Sequence, residues 1–258
     1  MRKAIVAIVA VLALVALVGC DQEEVAEGYA PGQTVEAYGY THGGYVGRAV
    51  VTTDAEGAID VTLDEAFLPH TLAAEIDYEA DEWTEANTAY YVSRGNEVRV
   101  AKYVEYDGTV YVGVTAGTSL TYVAADEDGN AAGGADLEKT ILRNETSMAA
   151  YYENIAAGGF KIMTGFGAAA TPVTTTHYGG LTKIDSEGYW NFGVTWAGNM
   201  VAIEEFIEEN GAAFSLDEML RAENEDSDGL KKWSVADTVS AATNSDFKDY
   251  FGLAQAAI

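Results

Sequence analysis

Small and hydroxylated side chains are concentrated near the C-terminal end of the sequence, in the stretch ADTVSAATNSDF that begins at Ala236. Apolar residues then recur at intervals of three and four from Phe247 to Ile258, which predicts a terminal helix. Thr243 therefore precedes a helix N-terminus, where backbone N–H groups lack intrahelical partners and the helix dipole is positive. A hydroxyl at such a position can cap the helix or carry a phosphate group.

The hydroxyl of Thr243 has a structural interpretation and a covalent one. In the first, Thr243 is the N-cap of the last helix, because Asp246 three residues later approximates a capping box. In the second, a phosphate attached to the hydroxyl is stabilised by the N–H groups of the helix end. The small side chains of Ala241 and Ala242 would leave room for a phosphodiester. The two interpretations do not exclude each other.

The segment from Asp237 to Thr243 resembles a known motif. Its sequence, D-T-V-S-A-A-T, is similar to the D-x-x-S-G-A-T motif of the FMN-binding domain family. That family includes flavin-carrying subunits of the sodium-pumping NADH:quinone reductase and of the Rnf complex, and many bacterial lipoproteins. Ala241 stands where glycine is usual. A second part of the family pattern, a hairpin of the form Y-x-G-x-[AV]-x-V, is similar to the segment from Tyr45 to Val51.

The resemblance implies a covalent cofactor. In the family, a flavin transferase joins FMN through its phosphate to the final threonine of the motif, which corresponds to Thr243. The other cofactor-binding positions that the resemblance implies are Asp237, Ser240, Ala241 and Ala242. Because the flavin ring itself carries the redox chemistry, no catalytic residue is expected in the chain. We expect an electron carrier rather than a stand-alone enzyme, with a donor and an acceptor that the sequence does not identify.

A bound flavin should lie against aromatic side chains, with its phosphate near cations. Proximity in the sequence suggests a set of ring contacts and a set of phosphate contacts. The ring candidates are Trp190, Phe192, Trp196, Tyr250 and Phe251, and the phosphate candidates are Lys231, Lys232 and Lys248. The alternative is that the aromatic residues belong to the core and that the lysines form ordinary ion pairs.

The N-terminal segment predicts a lipoprotein. Arg2 and Lys3 precede an apolar run that is shorter than the roughly 20 residues needed to cross a bilayer. The run closes with Leu-Val-Gly before Cys20, the only cysteine, which resembles a bacterial lipobox. We expect residues 1–19 to be a signal peptide and Cys20 to carry lipid. The protein would then be extracytoplasmic and anchored to a bacterial membrane, in the periplasm or at the cell surface.

The chain is strongly acidic, with 14 Lys and Arg against 41 Asp and Glu and a formal charge of −27. Removal of the signal peptide takes Arg2 and Lys3, so the mature charge is 12 − 41 = −29. This excess argues against nucleic acid or anionic lipid as partners, since both are polyanions. One cysteine cannot form an internal disulfide, so the fold must rest on burial.

The hydrophobic patterns predict an α+β fold, with a mostly antiparallel sheet and helices concentrated in the C-terminal half. Alternating residues predict a hairpin that starts at Tyr45 and turns within 54–58. Three antiparallel strands are expected within 97–125. One helix is expected across 136–157 and another across 199–209.

These patterns divide the chain into the signal peptide, an acidic tether at 20–37 and an FMN-binding-like domain at 38–258. Residues from about 77 to 196 match no part of the family pattern and are interpreted as a large insertion. The alternative function is a ligand-binding or structural surface lipoprotein of the same fold without flavin. The histidines lack metal-binding spacing, so no metal site is expected; they are His42, His70 and His177.

Overall fold

The computed structural model describes residues 31–42, 44–236 and 238–258. The predicted signal peptide, Cys20 and most of the tether lie outside these residues, and so does Asp237. The described chain has an α+β fold with antiparallel sheets, and four of its five helices lie in the C-terminal half. This is the fold class that the sequence predicts. No helix within the described residues has the length and apolar character needed to cross a bilayer.

The C-terminal part of the chain packs on a three-stranded antiparallel sheet. Its strands, in spatial order, are β1 (Thr34–Thr41), β2 (Tyr45–Thr53) and β3 (Ile59–Phe67). The predicted hairpin of β2 and β3 is confirmed by their continuous antiparallel pairing. Its turn forms because Asp54 Oδ1 accepts hydrogen bonds from the N–H groups of Glu56 and Ala58, and because Gly57 takes a positive φ that a glycine adopts without strain.

Strand β1 begins inside the segment assigned to the tether. Thr34 pairs with Thr52, and Ala37 is buried in the core at 1% exposure. The predicted boundary between residues 37 and 38 is therefore wrong, since residues 34–37 belong to the folded body. The start of β1 is held by backbone pairing and by one small buried side chain, so the sequence shows little apolar alternation there.

The segment interpreted as an insertion contains two further sheets. One is the hairpin of β4 (Thr88–Ser93) and β5 (Asn96–Ala101). The other has five strands in the order β10-β9-β6-β7-β8. Its strands are β6 (Tyr103–Tyr106), β7 (Thr109–Ala116), β8 (Ser119–Ala124), β9 (Phe160–Met163) and β10 (Ala170–Pro172). The segment also contains the helices α2 (Leu137–Ile141) and α3 (Glu145–Ala156), and the short helix α1 (Pro69–Leu72) precedes it.

Two elements of this segment differ from the prediction. The region predicted to hold three strands, 97–125, holds four, the first of which starts at Asn96. The additional strand arises because the chain bends at Lys102, so that β5 pairs with β4 while β6 pairs with β7. The single helix predicted across 136–157 is two helices. It is interrupted because Asn144 starts α3 as an N-cap, in a capping box with Ser147.

Buried side chains form two clusters, and only one of them lies beneath the C-terminal motif. The first cluster joins β1, β2 and β3 to residues 196–257, and none of its buried members falls between 64 and 195. The second joins the end of β3 to residues 68–173. The long middle segment thus packs around a core of its own, and the two flanking parts of the chain build the core that supports Thr243.

Two helices pack on the three-stranded sheet in the first cluster: α4 (Trp196–Asn210) and α5 (Phe247–Ala257). The predicted helices at both places are confirmed. Thr195 caps α4 by accepting the Gly198 N–H at 3.0 Å. A small sheet completes this part, with strands β11 (Met219–Arg221), β12 (Trp233–Val235) and β13 (Thr238–Val239).

Carboxylates of α4 cover the outer edge of β3. Glu204 Oε1 accepts the Leu63 N–H at 2.7 Å, and Glu208 Oε1 accepts the Val61 N–H at 3.0 Å. These contacts satisfy edge groups that could otherwise pair with another chain. Burial raises the pKa of Glu204 to about 6, and the nearby carboxylates Glu208, Asp60 and Asp64 add to the shift.

We predict that Glu204→Gln stabilises the fold at neutral pH. A folded-state pKa above the ordinary value means that ionised Glu204 destabilises the fold, with the penalty absent below about pH 4.5 and complete above about pH 6. Glutamine keeps the oxygen acceptor for Leu63. After an allowance for solvent screening of this half-exposed group, the gain in the free energy of unfolding at pH 7 is about 1 kcal/mol.

Urea unfolding at pH 4.5 and pH 7 measures this effect. Glu205→Gln, which removes the same charge from an exposed position on α4, is the matched control. Equal gains for the two variants at pH 7 would contradict the prediction.

Candidate functional site

A cleft of about 520 Å³ opens beside Thr243. It lies between the start of α4, the loop that joins β13 to α5, and the chain segments at 189–194 and 221–231. Its volume falls in the range of roughly 300–1,000 Å³ that is typical of small-molecule sites. Thr243 and its neighbours Asn244 to Asp246 form one wall.

The first part of the motif is anchored to β12. Ser240 Oγ donates to the Trp233 carbonyl at 3.1 Å, and the Trp233 N–H donates to the Ala242 carbonyl at 3.0 Å. Ala242 is completely buried, and the Trp233 ring stacks on Phe247 with ring centroids 5.2 Å apart. Ser240 and Ala242 therefore fix the path of the loop and do not line the cleft.

Ala241, where the family pattern has glycine, is exposed and lies outside the left-handed region of backbone space. Only a positive φ would make alanine a strained replacement for glycine. The backbone conformation of this loop therefore accommodates alanine at position 241 without strain.

Thr243 is not the N-cap of the last helix, contrary to the structural prediction. Helix α5 begins at Phe247, and Asp246 occupies its N-cap position without a side-chain capping bond. The Thr243 N–H donates instead to Asn199 Oδ1 at 2.6 Å, and the Thr243 hydroxyl lies 3.3 Å from the same oxygen. Thr243 thus contacts the first turn of α4 and precedes α5 by four residues, so the dipole of α5 does not act directly on it.

Asn199 is the residue that holds the Thr243 loop. Its side-chain oxygen also accepts the Asn244 N–H at 3.0 Å, and its Nδ2 donates to the carbonyls of Val194 and Thr195 at 2.8 and 2.9 Å. The residue is 3% exposed. One buried amide therefore joins the loop before α5 to the loop before α4, and residues of both loops line the cleft.

Aromatic side chains line the cleft at its rim and its floor. Trp190 and Phe192 form the rim, with 49% and 71% of their surfaces exposed and an edge-to-face contact at 6.1 Å. Trp190 also has a φ of 43°, which is rare for a bulky residue and is found mainly at functional sites. Trp196 and Tyr250 form the floor, where the Trp196 Nε1–H donates to the Tyr250 hydroxyl at 3.3 Å.

The fifth aromatic candidate, Phe251, does not line the cleft. It is completely buried in the first cluster, between α5 and α4, and contacts Phe206. Its prediction as a ring contact is wrong, because position 251 lies on the face of α5 that turns toward the core.

Cations are concentrated in this cleft although the chain is acidic. Lys183, Arg221 and Lys231 line it together with His42, against the two carboxylates Glu225 and Asp246, whereas the whole sequence has 14 basic and 41 acidic side chains. Such local charge favours an anionic ligand. Of the predicted phosphate contacts, Lys231 lines the cleft, whereas Lys232 pairs with Asp226 at 2.8 Å and Lys248 does not line it.

A buried ion pair supports the floor. Lys183 Nζ contacts Glu65 Oε2, and both side chains are almost completely buried. The ammonium also lies 3.4 Å from the centroid of the Tyr45 ring and 4.4 Å from that of Tyr189. Burial lowers the pKa of Lys183, and Glu65 opposes this shift. Lys183 is a lining residue of the cleft, but its ammonium is occupied by Glu65 and the two tyrosine rings.

Each histidine bonds to a carboxylate: His42 contacts Asp246, His70 contacts Glu138 and His177 contacts Glu75. No group of three or more His, Cys, Asp and Glu side chains is placed to bind a metal ion in the part of the chain that the structure describes.

No protein-family model, no curated protein and no solved structure was found to match this chain. The resemblance to the FMN-binding domain family therefore stays a prediction that rests on the motif and the hairpin.

Several residues of the site were not found from the sequence. Asn199 could have been found from its position in the predicted helix. It is a polar residue on the apolar face, four positions before Ile203 and seven before Phe206. Arg221 and Lys183 carried none, because they meet their partners across 22 and 118 residues of chain.

We predict that Asn199→Ala loosens the Thr243 loop and destabilises the fold by about 2 kcal/mol, because it leaves the N–H groups of Thr243 and Asn244 without an acceptor. Amide hydrogen exchange at these two residues should become faster than in the wild type. Asn210→Ala, which removes a bond to the Phe206 carbonyl at the exposed end of the same helix, is the control. Unchanged exchange at Thr243 and Asn244 in Asn199→Ala would contradict the role given to this amide.

Proposed function

We propose that this protein is an extracytoplasmic, lipid-anchored flavoprotein that carries FMN as a phosphodiester on Thr243 and relays electrons. One observation carries the proposal. Thr243, the threonine of the motif, lies in the wall of the same cleft as four of the five aromatic side chains expected beside a flavin ring. Tyr250 follows Thr243 closely in the sequence, but Trp190, Phe192 and Trp196 precede it by about 50 residues, so the fold brings these three to Thr243.

The residues of the cleft fit an FMN group. Trp190 and Phe192 at the rim are exposed aromatic surfaces against which a planar heterocycle can stack. The cations Arg221 and Lys231 in the lining of the cleft suit a phosphate. Bound there, FMN would supply one- and two-electron redox chemistry, while the chain provides position and electrostatics.

Attachment to Thr243 requires a balanced group transfer. Thr243 Oγ1 forms a bond to the phosphorus of FMN, the bond from that phosphorus to a leaving group breaks, and the hydroxyl proton passes to a base. The donor must be a phosphoanhydride of FMN, because the mononucleotide itself offers no good leaving group. A flavin transferase supplies the donor site and the base. In this chain, Asn199 positions the hydroxyl.

The length of the tether would limit the distance between the folded domain and the membrane. Thirteen residues, and so fourteen Cα–Cα steps, separate the proposed lipid on Cys20 from Thr34, the start of β1. Fully extended, they reach roughly 46–50 Å. A lipid at one end and a covalent cofactor at the other would keep the electron carrier beside the membrane and prevent loss of the flavin. The donor and the acceptor are not identified.

A second function, a ligand-binding or structural lipoprotein without flavin, is favoured by the hydrogen bond of Thr243. Its hydroxyl contacts Asn199 and thus contributes to the loop without any modification. In that case the cleft would bind an anionic aromatic ligand reversibly, or no ligand.

We predict that co-expression with a flavin transferase yields a protein whose band fluoresces on a denaturing gel and whose mass increases by one FMN less one water. Thr243→Ala should abolish both signals because it removes the attachment oxygen. Ser245→Ala is the matched control, since its hydroxyl belongs to the same cleft wall and donates to Asp246. A colourless wild-type protein of unmodified mass would leave the second function. A flavin retained in Thr243→Ala would contradict the attachment point.

A further inference from the structure

Arg221 lies directly beside the proposed attachment residue. It ends strand β11, and its pairing with Trp233 of β12 fixes its position opposite the motif loop. Its Nη2 donates to the Thr243 carbonyl at 2.6 Å. Arg221 forms no ion pair with any residue that the structure describes, whereas the nearby Lys232 is paired with Asp226. An unneutralised guanidinium on a protein of charge −27 therefore faces the cleft next to Thr243.

The side chain of Asn244 provides an independent observation. Its backbone is fixed, because its N–H donates to Asn199 and its carbonyl accepts the Trp233 Nε1–H at 2.6 Å. Both polar atoms of its side-chain amide, however, are buried and lack a hydrogen-bond partner among the described residues. Buried polar groups without partners are costly and uncommon, and Asn244 is one of the residues that line the cleft.

We propose that Arg221 and the Asn244 amide form the subsite for the phosphate and the ribityl hydroxyls of a flavin nucleotide. This inference rests on the proposed function. A guanidinium matches phosphate, because its planar donors can contact two oxygens at once. A primary amide matches a polyol, because each hydroxyl both donates and accepts a hydrogen bond and so satisfies Nδ2 and Oδ1 together.

The other cations of the cleft are less suited to the phosphate. Lys183 is committed to Glu65 and the aromatic rings of the floor. Lys231 lines the cleft but has no hydrogen bond or ion pair with any residue that the structure describes, so it adds positive charge but no defined geometry. Arg221 is the cation that a hydrogen bond already fixes against the backbone of Thr243.

The test measures reversible binding to the mature full-length chain produced without a transferase. Three probes are titrated and followed by flavin fluorescence: FMN, riboflavin, which lacks the phosphate, and lumiflavin, which also lacks the ribityl chain. The wild type should bind FMN about tenfold more tightly than riboflavin, the size expected for hydrogen bonds to a charged group that is partly exposed. Arg221→Gln should remove that difference and leave riboflavin binding unchanged.

Three further variants separate recognition from folding and from general charge. Asn244→Ala should weaken binding of FMN and riboflavin but not of lumiflavin. Arg221→Lys should restore part of the preference for FMN, since it keeps the charge but not the fork of donors. Lys232→Gln, which removes a neighbouring cation that is already paired, should behave like the wild type.

Equal affinities of the wild type for FMN and riboflavin would overturn the subsite. Loss of binding to all three probes in Arg221→Gln, or an equal effect of this substitution on FMN and riboflavin, would overturn it as well. These results are distinguishable from failure of the proposed function. A protein that is flavinylated by a transferase but shows no preference for FMN keeps the function and loses the subsite. A protein that prefers FMN through Arg221 but is never flavinylated keeps the subsite and loses the covalent function.

Discussion

The candidate site depends on one buried amide, that of Asn199. Its oxygen accepts the N–H groups of Thr243 and Asn244, and its nitrogen donates to the carbonyls of Val194 and Thr195. Through these bonds, the loop that carries the motif and the loop that follows the aromatic rim are held at a fixed separation. Because an unpaired buried amide is costly, the four contacts are interdependent, and the cleft between the two loops is a consequence of satisfying them together.

Electrostatic interactions in this protein act over two ranges of distance. The field of the acidic surface acts over about 8–10 Å before salt screens it. Inside the cleft, contacts of about 3–4 Å dominate, and there the cations Arg221 and Lys231 line the space. An acidic protein can therefore offer a local site for an anion, because these two cations are nearer to the cleft than most of the surface carboxylates are.

Local patterns were sufficient to predict some of the elements but not the contacts between them. The β2–β3 hairpin, α4 and α5 follow from turn chemistry and from apolar spacing within a single segment. The capping role of Thr243 was predicted wrongly. In a capping box its N–H would bond to the side chain of Asp246, but it bonds to Asn199, which lies 44 residues earlier in the chain. Phe251 was misplaced for a related reason, since spacing shows which residues share a helix face but not whether that face meets a core or a cleft.

The central claim is that Thr243 of the native protein carries a flavin phosphate, and peptide mapping tests it most directly. Trypsin cleaves after Lys232 and Lys248, so Thr243 is released in the single peptide 233–248. In protein purified from its own membranes, we expect this peptide to absorb as a flavin and fragmentation to locate the added phosphodiester on Thr243. Recovery of the peptide only in unmodified form, or with the flavin on another residue, would contradict the account.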